Sequence, residues 1–329
     1  MRTVLVLALA AAIGVSVRAP ESAPLHLVGV IPLPNVRGRI DHYGIDLEGR
    51  RLFLSALGNN TVEVLDLRTN RLLRTLTGLH EPQGVTYAPD SNKIFVANAD
   101  GGKVRIFDGT TYRLLSTLDF GDDADDTRYD AASGRVYVGY GDGGIGVLDS
   151  RTGKLLGKIP VPAHPEAFEV EKGGGKIYIN IPDAGEIAVA SWPKRAIVAR
   201  WPMQEYRSNF PMALDAKDQR LFVVTRRPPQ FLALDAATGR IVAHLTAVGD
   251  SDDLWYDSAR KRIYISGGGG FLSVIEQLDR DHYRSLGSIP TAPGARTSFF
   301  APELGRLYVA VPRRPGHGAE VRVYEVPGR

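Results

Sequence analysis

Carboxylate, imidazole, amide and guanidinium side chains recur along this 329-residue chain at intervals of about 42 residues. The recurring set is Asp41, His42, Gln83, Asp125, Glu166, Asn209, Asp252 and Arg296. Residues repeated at a fixed period occupy equivalent places in equivalent structural units. The spacing therefore predicts that these polar groups converge on one surface of the folded chain, where they bind a ligand.

Three interpretations of this set remain open. The side chains can tie neighbouring loops together by hydrogen bonds to the backbone, which is the usual role of polar loop residues. The carboxylates can bind a divalent cation, Ca²⁺ or Mg²⁺, because these ions prefer oxygen ligands. Carboxylates beside Arg296 can also form a mixed-charge pocket for a small polar ligand.

Other polar groups extend these alternatives. Two basic, proline-containing segments, 226–229 and 313–317, are expected on the same surface, where arginines could bind an anionic group. His42, His80 and His164 come from three different repeats, so a transition-metal site is a further hypothesis. No serine stands in a nucleophile-elbow context and the chain has no cysteine, so no catalytic set is identified.

The elements that must position these residues are seven copies of a short strand pattern. Each copy starts with a basic residue followed by apolar residues in a short strand pattern. The copies begin at Arg51, Lys93, Arg135, Lys176, Arg220, Arg262 and Arg306. In the second repeat, residues 84–87, 93–97, 103–107 and 112–118 form four strand patterns separated by turn residues. Four antiparallel strands in each period of about 40–45 residues predict one blade of a β-propeller.

The two ends of the chain complete the architecture. The seventh repeat ends with its third strand, 321–326, and an unassigned strand pattern lies at 26–31. Pairing these two segments would leave no open sheet edge in the last blade. The sequence therefore predicts an all-β, seven-bladed β-propeller of four-stranded antiparallel blades, with the ring closed by the N-terminal strand. The recurring polar residues then stand in the loops that enter the inner strands, at the mouth of the central channel.

Short motifs carry a closer resemblance. The sequence Phe-Val-Ala-Asn at 95–98, and Val-Leu-Asp at 64–66 with the Thr-Asn turn at 69–70, resemble the YVTN-repeat family, which includes the YncE-like proteins. The resemblance covers the chain from about residue 25 onward and implies a seven-bladed propeller, in a family of diverse functions. Segments 187–193 and 277–281 depart from it, because they lack the Asp-x-x-Thr-Gly turn of the other blades.

The N-terminal segment predicts export. Arg2 precedes a run at 4–17 that is apolar apart from Gly14 and Ser16, which is typical of a secretory signal peptide. We assign residues 1–19 to the signal, with the cleavage position left open because Pro20 follows Ala19. An uncleaved membrane anchor is the alternative. Residues 20–329 then form a single periplasmic or secreted propeller domain, which no disulfide stabilises because cysteine is absent.

These observations favour a binding protein over an enzyme. The net charge is only +3 and the basic residues are spread along the chain, which argues against a nucleic-acid partner. We expect a monomer without a membrane span after signal removal, with a small molecule or an envelope protein as its partner at the channel mouth. A scaffold role in an envelope complex is a further alternative.

The enzyme alternative is a metal-assisted hydrolase or lyase, by analogy with propeller lactonases. A cation in the central channel would polarise a carbonyl oxygen of the substrate. Its ligands would be Asp41, Asp125, Glu166 and Asp252. His42 or His164 would then act as the base.

Overall fold

The computed structural model describes residues 23–141 and 143–327. In chain order the first strands are β1 (His26–Leu33), β2 (Tyr43–Asp46), β3 (Arg51–Ala56), β4 (Thr61–Asp66), β5 (Arg71–Leu76), β6 (Pro82–Ala88), β7 (Lys93–Asn98), β8 (Lys103–Asp108), β9 (Leu114–Asp119), β10 (Ala124–Asp130), β11 (Arg135–Tyr140), β12 (Gly144–Asp149), β13 (Leu155–Pro160) and β14 (Phe168–Val170). They are followed by β15 (Lys176–Ile181), β16 (Glu186–Ser191), β17 (Ala196–Pro202), β18 (Arg207–Asp215), β19 (Arg220–Arg227), β20 (Pro229–Asp235), β21 (Ile241–Thr246), β22 (Ser251–Asp257), β23 (Arg262–Gly267), β24 (Phe271–Gln277), β25 (Tyr283–Pro290), β26 (Ser298–Ala301), β27 (Arg306–Val311) and β28 (Ala319–Glu325). Short 3₁₀ helices span Leu57–Asn59, Pro182–Ala184 and Pro302–Leu304.

Across the described ranges these strands form seven four-stranded antiparallel sheets, which confirms the predicted propeller. Blades 1 to 6 each take four consecutive strands, beginning with β2, β6, β10, β14, β18 and β22. Blade 7 has the order β1-β28-β27-β26, so the N-terminal strand closes the ring as predicted. The pairing runs from His26 opposite Glu325 to Leu33 opposite Ala319.

The second strand of each blade is the repeated sequence pattern. β3, β7, β11, β15, β19, β23 and β27 begin at the seven basic residues identified from the sequence. In β7 the four residues from Ile94 to Ala97 are all buried. Both faces are covered because each blade packs between two others, so the apolar run is continuous rather than alternating with polar residues.

The recurrent aspartates after the third strands shape the turns to the fourth strands. Asp108 accepts hydrogen bonds from the backbone N–H groups of Thr110 (3.1 Å) and Thr111 (2.7 Å). Asp149 and Asp235 make the same contacts with Thr152 and Thr238. The backbone N–H group and hydroxyl of Thr111 lower the pKa of Asp108. These aspartates therefore have a structural role in the turns.

Small residues allow the inner strands to approach one another around the channel. A Cβ on Gly44 would lie 2.6 Å from the carbonyl oxygen of Val85, and one on Gly84 would lie 2.3 Å from that of Asp125. Both distances are shorter than a carbon can tolerate, so glycine is required at both positions. Blades 1, 2 and 3 therefore meet closely along the channel and bring their entering loops together.

The sequence predicts an N-terminal signal peptide and no membrane span after its removal. The predicted signal peptide, residues 1–19, lies outside the described residues. Over the described parts of the chain, no helix is long and apolar enough to cross a membrane.

Candidate functional site

A polar cavity of about 230 Å³ lies at the mouth of the central channel, where the loops entering the inner strands meet. We call it the upper cavity. All seven blades contribute to its wall, so polar groups from different repeats lie close together there. Its lining residues are Arg39, His42, Gln83, Asp123, Asp125, His164, Glu166, Phe210, Arg226, Asp252 and Arg296.

Two of the eight sequence-derived residues lie behind this wall. Asp41 is fully buried and forms an ion pair with Arg39, at 2.8 Å between Oδ2 and Nη2. Asn209 is also fully buried and donates from Nδ2 to Oδ1 of Asn180 (2.8 Å) and to the carbonyl oxygen of Glu186 (3.1 Å). Asn209 thus joins blades 5 and 4, as in the loop-tying interpretation, and its neighbour Phe210 lines the cavity instead.

Three guanidinium groups form the basic part of the wall. Arg39 also donates to Oε1 of Gln83, at 3.4 Å, and half of its side chain is exposed. Arg296 pairs with Asp250 at 2.8 Å between Nη2 and Oδ2. Arg226 donates from Nε to the carbonyl oxygen of Ser251 (2.9 Å), binds Asp252 and stacks over Phe210, with Cζ 3.6 Å from the ring centroid.

Arg226 belongs to one of the two basic segments predicted for this surface. It links blades 5 and 6 and also faces the cavity. The second segment behaves differently. Arg313 and Arg314 line a separate depression with Arg37. Of the two predicted anion-binding segments, the structure therefore brings only the first to the upper cavity.

Carboxylates form much of the remaining wall. Glu166 makes no side-chain hydrogen bond to any other described residue, and burial together with the charge of Asp125 raises its pKa to about 8. Burial also raises the pKa of Asp252. Asp125 and Asp252 each have one buried oxygen without a hydrogen-bond partner in the described structure. An unpaired buried polar atom costs about 1–3 kcal/mol, so this wall favours a donor from outside the chain.

His164 lies between Asp125 and Asp123, with Nδ1 3.6 Å from Oδ2 of Asp123. Its Nδ1 donates to the carbonyl oxygen of Gly141 (2.9 Å), and its Nε2 lies 3.4 Å from Oδ2 of Asp125. Asp123, in turn, accepts from Gln83 at 3.1 Å. Burial by itself lowers the pKa of His164, but the hydrogen bond and charge of Asp125 outweigh it and raise the pKa to about 9. At neutral pH the imidazole is therefore protonated and is not free to act as a base.

His42 is held in the same way at the floor of the cavity. Its Nδ1 lies 3.3 Å from Asp253, and its Nε2 lies 3.5 Å from Asp41. Burial opposes protonation, but these two carboxylates raise the pKa of His42 well above its ordinary value. His80 does not line the cavity and is more than half exposed beside Asp100. The three histidines therefore do not meet at one point.

Comparison with known proteins adds the following. No protein-family model matches the sequence, and no curated protein matches it. A chain of the hydrazine synthase of Kuenenia stuttgartiensis superposes with a TM-score of 0.74 at 16% identity, over 91% of this chain and 96% of that one. A chain in the crystal structure of a mitotic checkpoint complex gives a TM-score of 0.78 at 14% identity, over 99% of both chains. The likeness is one of fold alone. It supports the seven-bladed propeller, while the closer resemblance to the YVTN-repeat family stays a prediction.

Proposed function

We propose that this protein is an exported, YncE-like propeller that binds a small zwitterionic molecule in the upper cavity. The observation that carries the proposal is the arrangement of Glu166, a cavity carboxylate without a hydrogen-bond partner among the described residues, in the same wall as Arg39 and Arg296. A ligand ammonium group would donate to Glu166 and to the neighbouring oxygens of Asp125 and Asp252. A ligand carboxylate would accept from the two arginines, because guanidinium donors match its geometry.

The size of the cavity limits the ligand. A volume of about 230 Å³ is below the roughly 300–1,000 Å³ of pockets that hold drug-sized molecules. Its wall is dominated by ionisable groups of both signs, with Phe210 as its aromatic member. These features favour a compact molecule with both charges, such as an amino acid, over an extended or apolar one.

The test is thermal stabilisation by a panel of small amino acids, each compared with its N-acetyl and methyl-ester derivative. A ligand present at 100 times its Kd stabilises a protein by about 2.7 kcal/mol, which corresponds to about 5 °C for a domain of this size. We expect at least one free amino acid to give such a shift and both of its blocked derivatives to lose it. A panel without any shift contradicts the proposal.

Variants inside and outside the upper cavity show whether the ligand that causes the thermal shift binds there. Glu166→Gln removes the ammonium partner and Arg296→Gln removes the carboxylate partner, so each should abolish the shift. Arg313→Gln makes the same change at an exposed arginine outside the cavity and should leave the shift unchanged. A shift that survives both cavity variants would place the ligand elsewhere.

A divalent cation held by the carboxylates is the second candidate occupant, and it would support the hydrolase or lyase alternative. Ca²⁺ and Mg²⁺ accept oxygen ligands such as the unpaired oxygens of Asp125 and Asp252. Within residues 23–141 and 143–327, however, no group of three or more His, Asp or Glu side chains is arranged to hold a metal ion. Mass spectrometry of protein purified without chelator separates the candidates. A stoichiometric metal, with a melting temperature lowered by chelator, would favour the cation over the zwitterion.

A further inference from the structure

A second cavity, of about 320 Å³, lies further along the inner strands, toward the end of the channel opposite the upper cavity. We call it the lower cavity. It is lined by Tyr43, Gly44, Ile45, Thr86, Tyr87, Thr127, Arg128, Tyr129, Glu169, Trp255 and Phe299. None of these residues lines the upper cavity, which lies three residues earlier along the inner strands, a distance of roughly 10 Å.

The pairing between the inner and second strands of each blade places these residues at one level of the channel. One residue of each inner strand pairs directly with the central aromatic residue of the neighbouring second strand. The pairs are Gly44–Phe53, Thr86–Phe95, Arg128–Tyr137, Glu169–Tyr178, Ala213–Phe222, Trp255–Tyr264 and Phe299–Tyr308. The seven inner residues therefore form a ring, and all of them except Ala213 line the lower cavity.

One side of this ring is an aromatic wall built by three adjacent blades. The centroids of Trp255 and Phe299 are 4.8 Å apart with their planes inclined at 60°, and Tyr43 lies 6.3 Å from Phe299. The indole N–H of Trp255 donates to the carbonyl oxygen of Ser298 at 3.1 Å, which fixes the ring. The hydroxyl of Tyr43 is buried without a hydrogen-bond partner in the described structure.

The opposite side of the ring carries the carboxyl group of Glu169. Arg128 is bound to Asp126 and also donates to the carbonyl oxygen of Thr127 at 3.0 Å. Glu169 makes no side-chain hydrogen bond to any other residue between 23 and 327 that the structure describes. Burial raises the pKa of Glu169 to about 7, with Arg128 opposing and Asp126 adding to the effect. Because Arg128 and Asp126 neutralise each other, the ionised form of Glu169 gives this side of the cavity a net negative charge.

We propose that the lower cavity binds a small organic cation, an alkylammonium or quaternary ammonium group. Its methyl or methylene groups would lie against Tyr43, Phe299 and Trp255, whose ring faces attract cations, and Glu169 would neutralise its charge. Blade 4, which carries Glu169, lies across the seven-membered ring from blades 7 and 1, so charge and aromatic faces stand on opposite sides of the bound group. An anion would be repelled by Glu169, and a neutral apolar molecule would leave the charge of the carboxylate without a counter-ion.

Choline and its uncharged isostere 3,3-dimethylbutan-1-ol are the probes. They differ in charge and hardly in shape, so titration calorimetry of both with the full chain measures the contribution of the charge. We expect choline to bind at least tenfold more tightly than the isostere. Equal binding of the two probes, or no binding of choline, would overturn the proposal.

Two variants test the site itself, and two others serve as controls. Glu169→Gln should weaken choline binding about tenfold or more, and Phe299→Leu, which removes the ring but keeps apolar volume, should weaken it by a similar factor. Glu205→Gln makes the same charge change at an exposed position and should bind choline as the wild type does. Asp125→Asn in the upper cavity should also leave choline binding unchanged, which separates this site from the proposed function. Binding that is insensitive to Glu169→Gln, in a variant with a wild-type melting temperature, would refute the assignment.

Discussion

At the scale of single residues, Glu166 shows how the channel disfavours the ionised form of a carboxyl group. Its pKa is about 8 in the folded protein, where burial is the largest cause, and about 4.3 in an unfolded chain. The folded state therefore holds the proton more tightly than the unfolded state. The free energy of unfolding consequently falls as the pH rises from about 4.3 to 8.

Glu166→Gln should remove this loss, because glutamine keeps the shape of the protonated side chain and cannot ionise. We expect the variant to exceed the wild type in free energy of unfolding by about 1–3 kcal/mol at pH 8.5, with a smaller excess at pH 5. Urea unfolding at the two pH values measures the difference. The raised pKa of His164 gives both proteins a slope of the same sign above pH 6.5, and because His164 interacts with Glu166, the difference between them reports Glu166 together with this interaction.

Glu205→Gln is the control for this experiment, since Glu205 is exposed and carries the same charge. Its effect on stability should be small and similar at both pH values. If Glu166→Gln also gives a difference that does not change with pH, then Glu166 is ionised in the folded protein and the argument from burial fails.

Individual side chains of the site could be predicted only in part from the sequence. The position ten residues before each second strand is Gln83, Asp125 or Arg296 in blades 2, 3 and 7. All three line the cavity, because equivalent strand positions share a level of the channel. In blade 5 the same position is Phe210, which lines the cavity. The prediction chose its polar neighbour Asn209 instead, and Asn209 is buried between blades 4 and 5. Which neighbour faces the channel depends on the local course of the backbone and on tertiary hydrogen bonds, which periodicity does not contain.

At the scale of elements, β1 shows how one strand serves two blades. Ile31 and Leu33 are fully buried in a cluster that also contains Leu52 and Leu54 of blade 1 and Val321 of blade 7. Val30, the residue before Ile31 in the same strand, points outward and is 39% exposed. The strand therefore completes the sheet of blade 7 and packs that sheet against blade 1.

Ile31→Ala should destabilise the protein by about 2–4 kcal/mol, because it opens a cavity in this shared core. Val30→Ala, one position away in the same strand, should cost less than about 1 kcal/mol. Equilibrium unfolding in urea compares the two. Similar losses for both variants would mean that strand propensity, rather than core packing, determines the contribution of β1.

The elements themselves were easier to predict than their contacts. The second strands are buried on both faces, so their basic-then-apolar pattern was visible seven times in the sequence. The inner strands are short and irregular, and the register of β10 against β11 shifts between Ala124 and Thr127. This irregularity interrupts the alternation of inward-facing and outward-facing residues that would have identified the lower cavity. Trp255 and Glu169 nevertheless both lie seven residues before the start of their second strands. An offset of seven residues before each repeated segment is the signal that could have found them.

At the scale of the whole molecule, closure by β1 removes the free edge of blade 7. Removal of His26–Leu33 would leave β28 with one unpaired side and would uncover Val321 and Ala319. Unpaired strand edges associate with other strands. We expect the shortened chain to self-associate, as measured by light scattering after size exclusion.

A synthetic peptide covering residues 24–35 provides the control, because it supplies the missing strand without a covalent link. We expect it to restore the size and melting temperature of the full chain, whereas a peptide of the same composition in scrambled order should not. A shortened chain that keeps the size and melting temperature of the full chain would show that the seven blades hold together without closure.

β1 is the first strand to be synthesised, and it pairs with the last strand, β28. During synthesis β1 emerges first, and its partner β28 follows about 290 residues later, which at about 5–20 residues per second takes about 15–60 seconds. Throughout that interval Ile31 and Leu33 lack the strand that they pair with. Blades 1 to 6 need no residue from β1 for their own sheets, so they can form in order behind it. Until β28 has been synthesised, the ring can therefore exist only as an open arc, and its first strand is the last to find its partner.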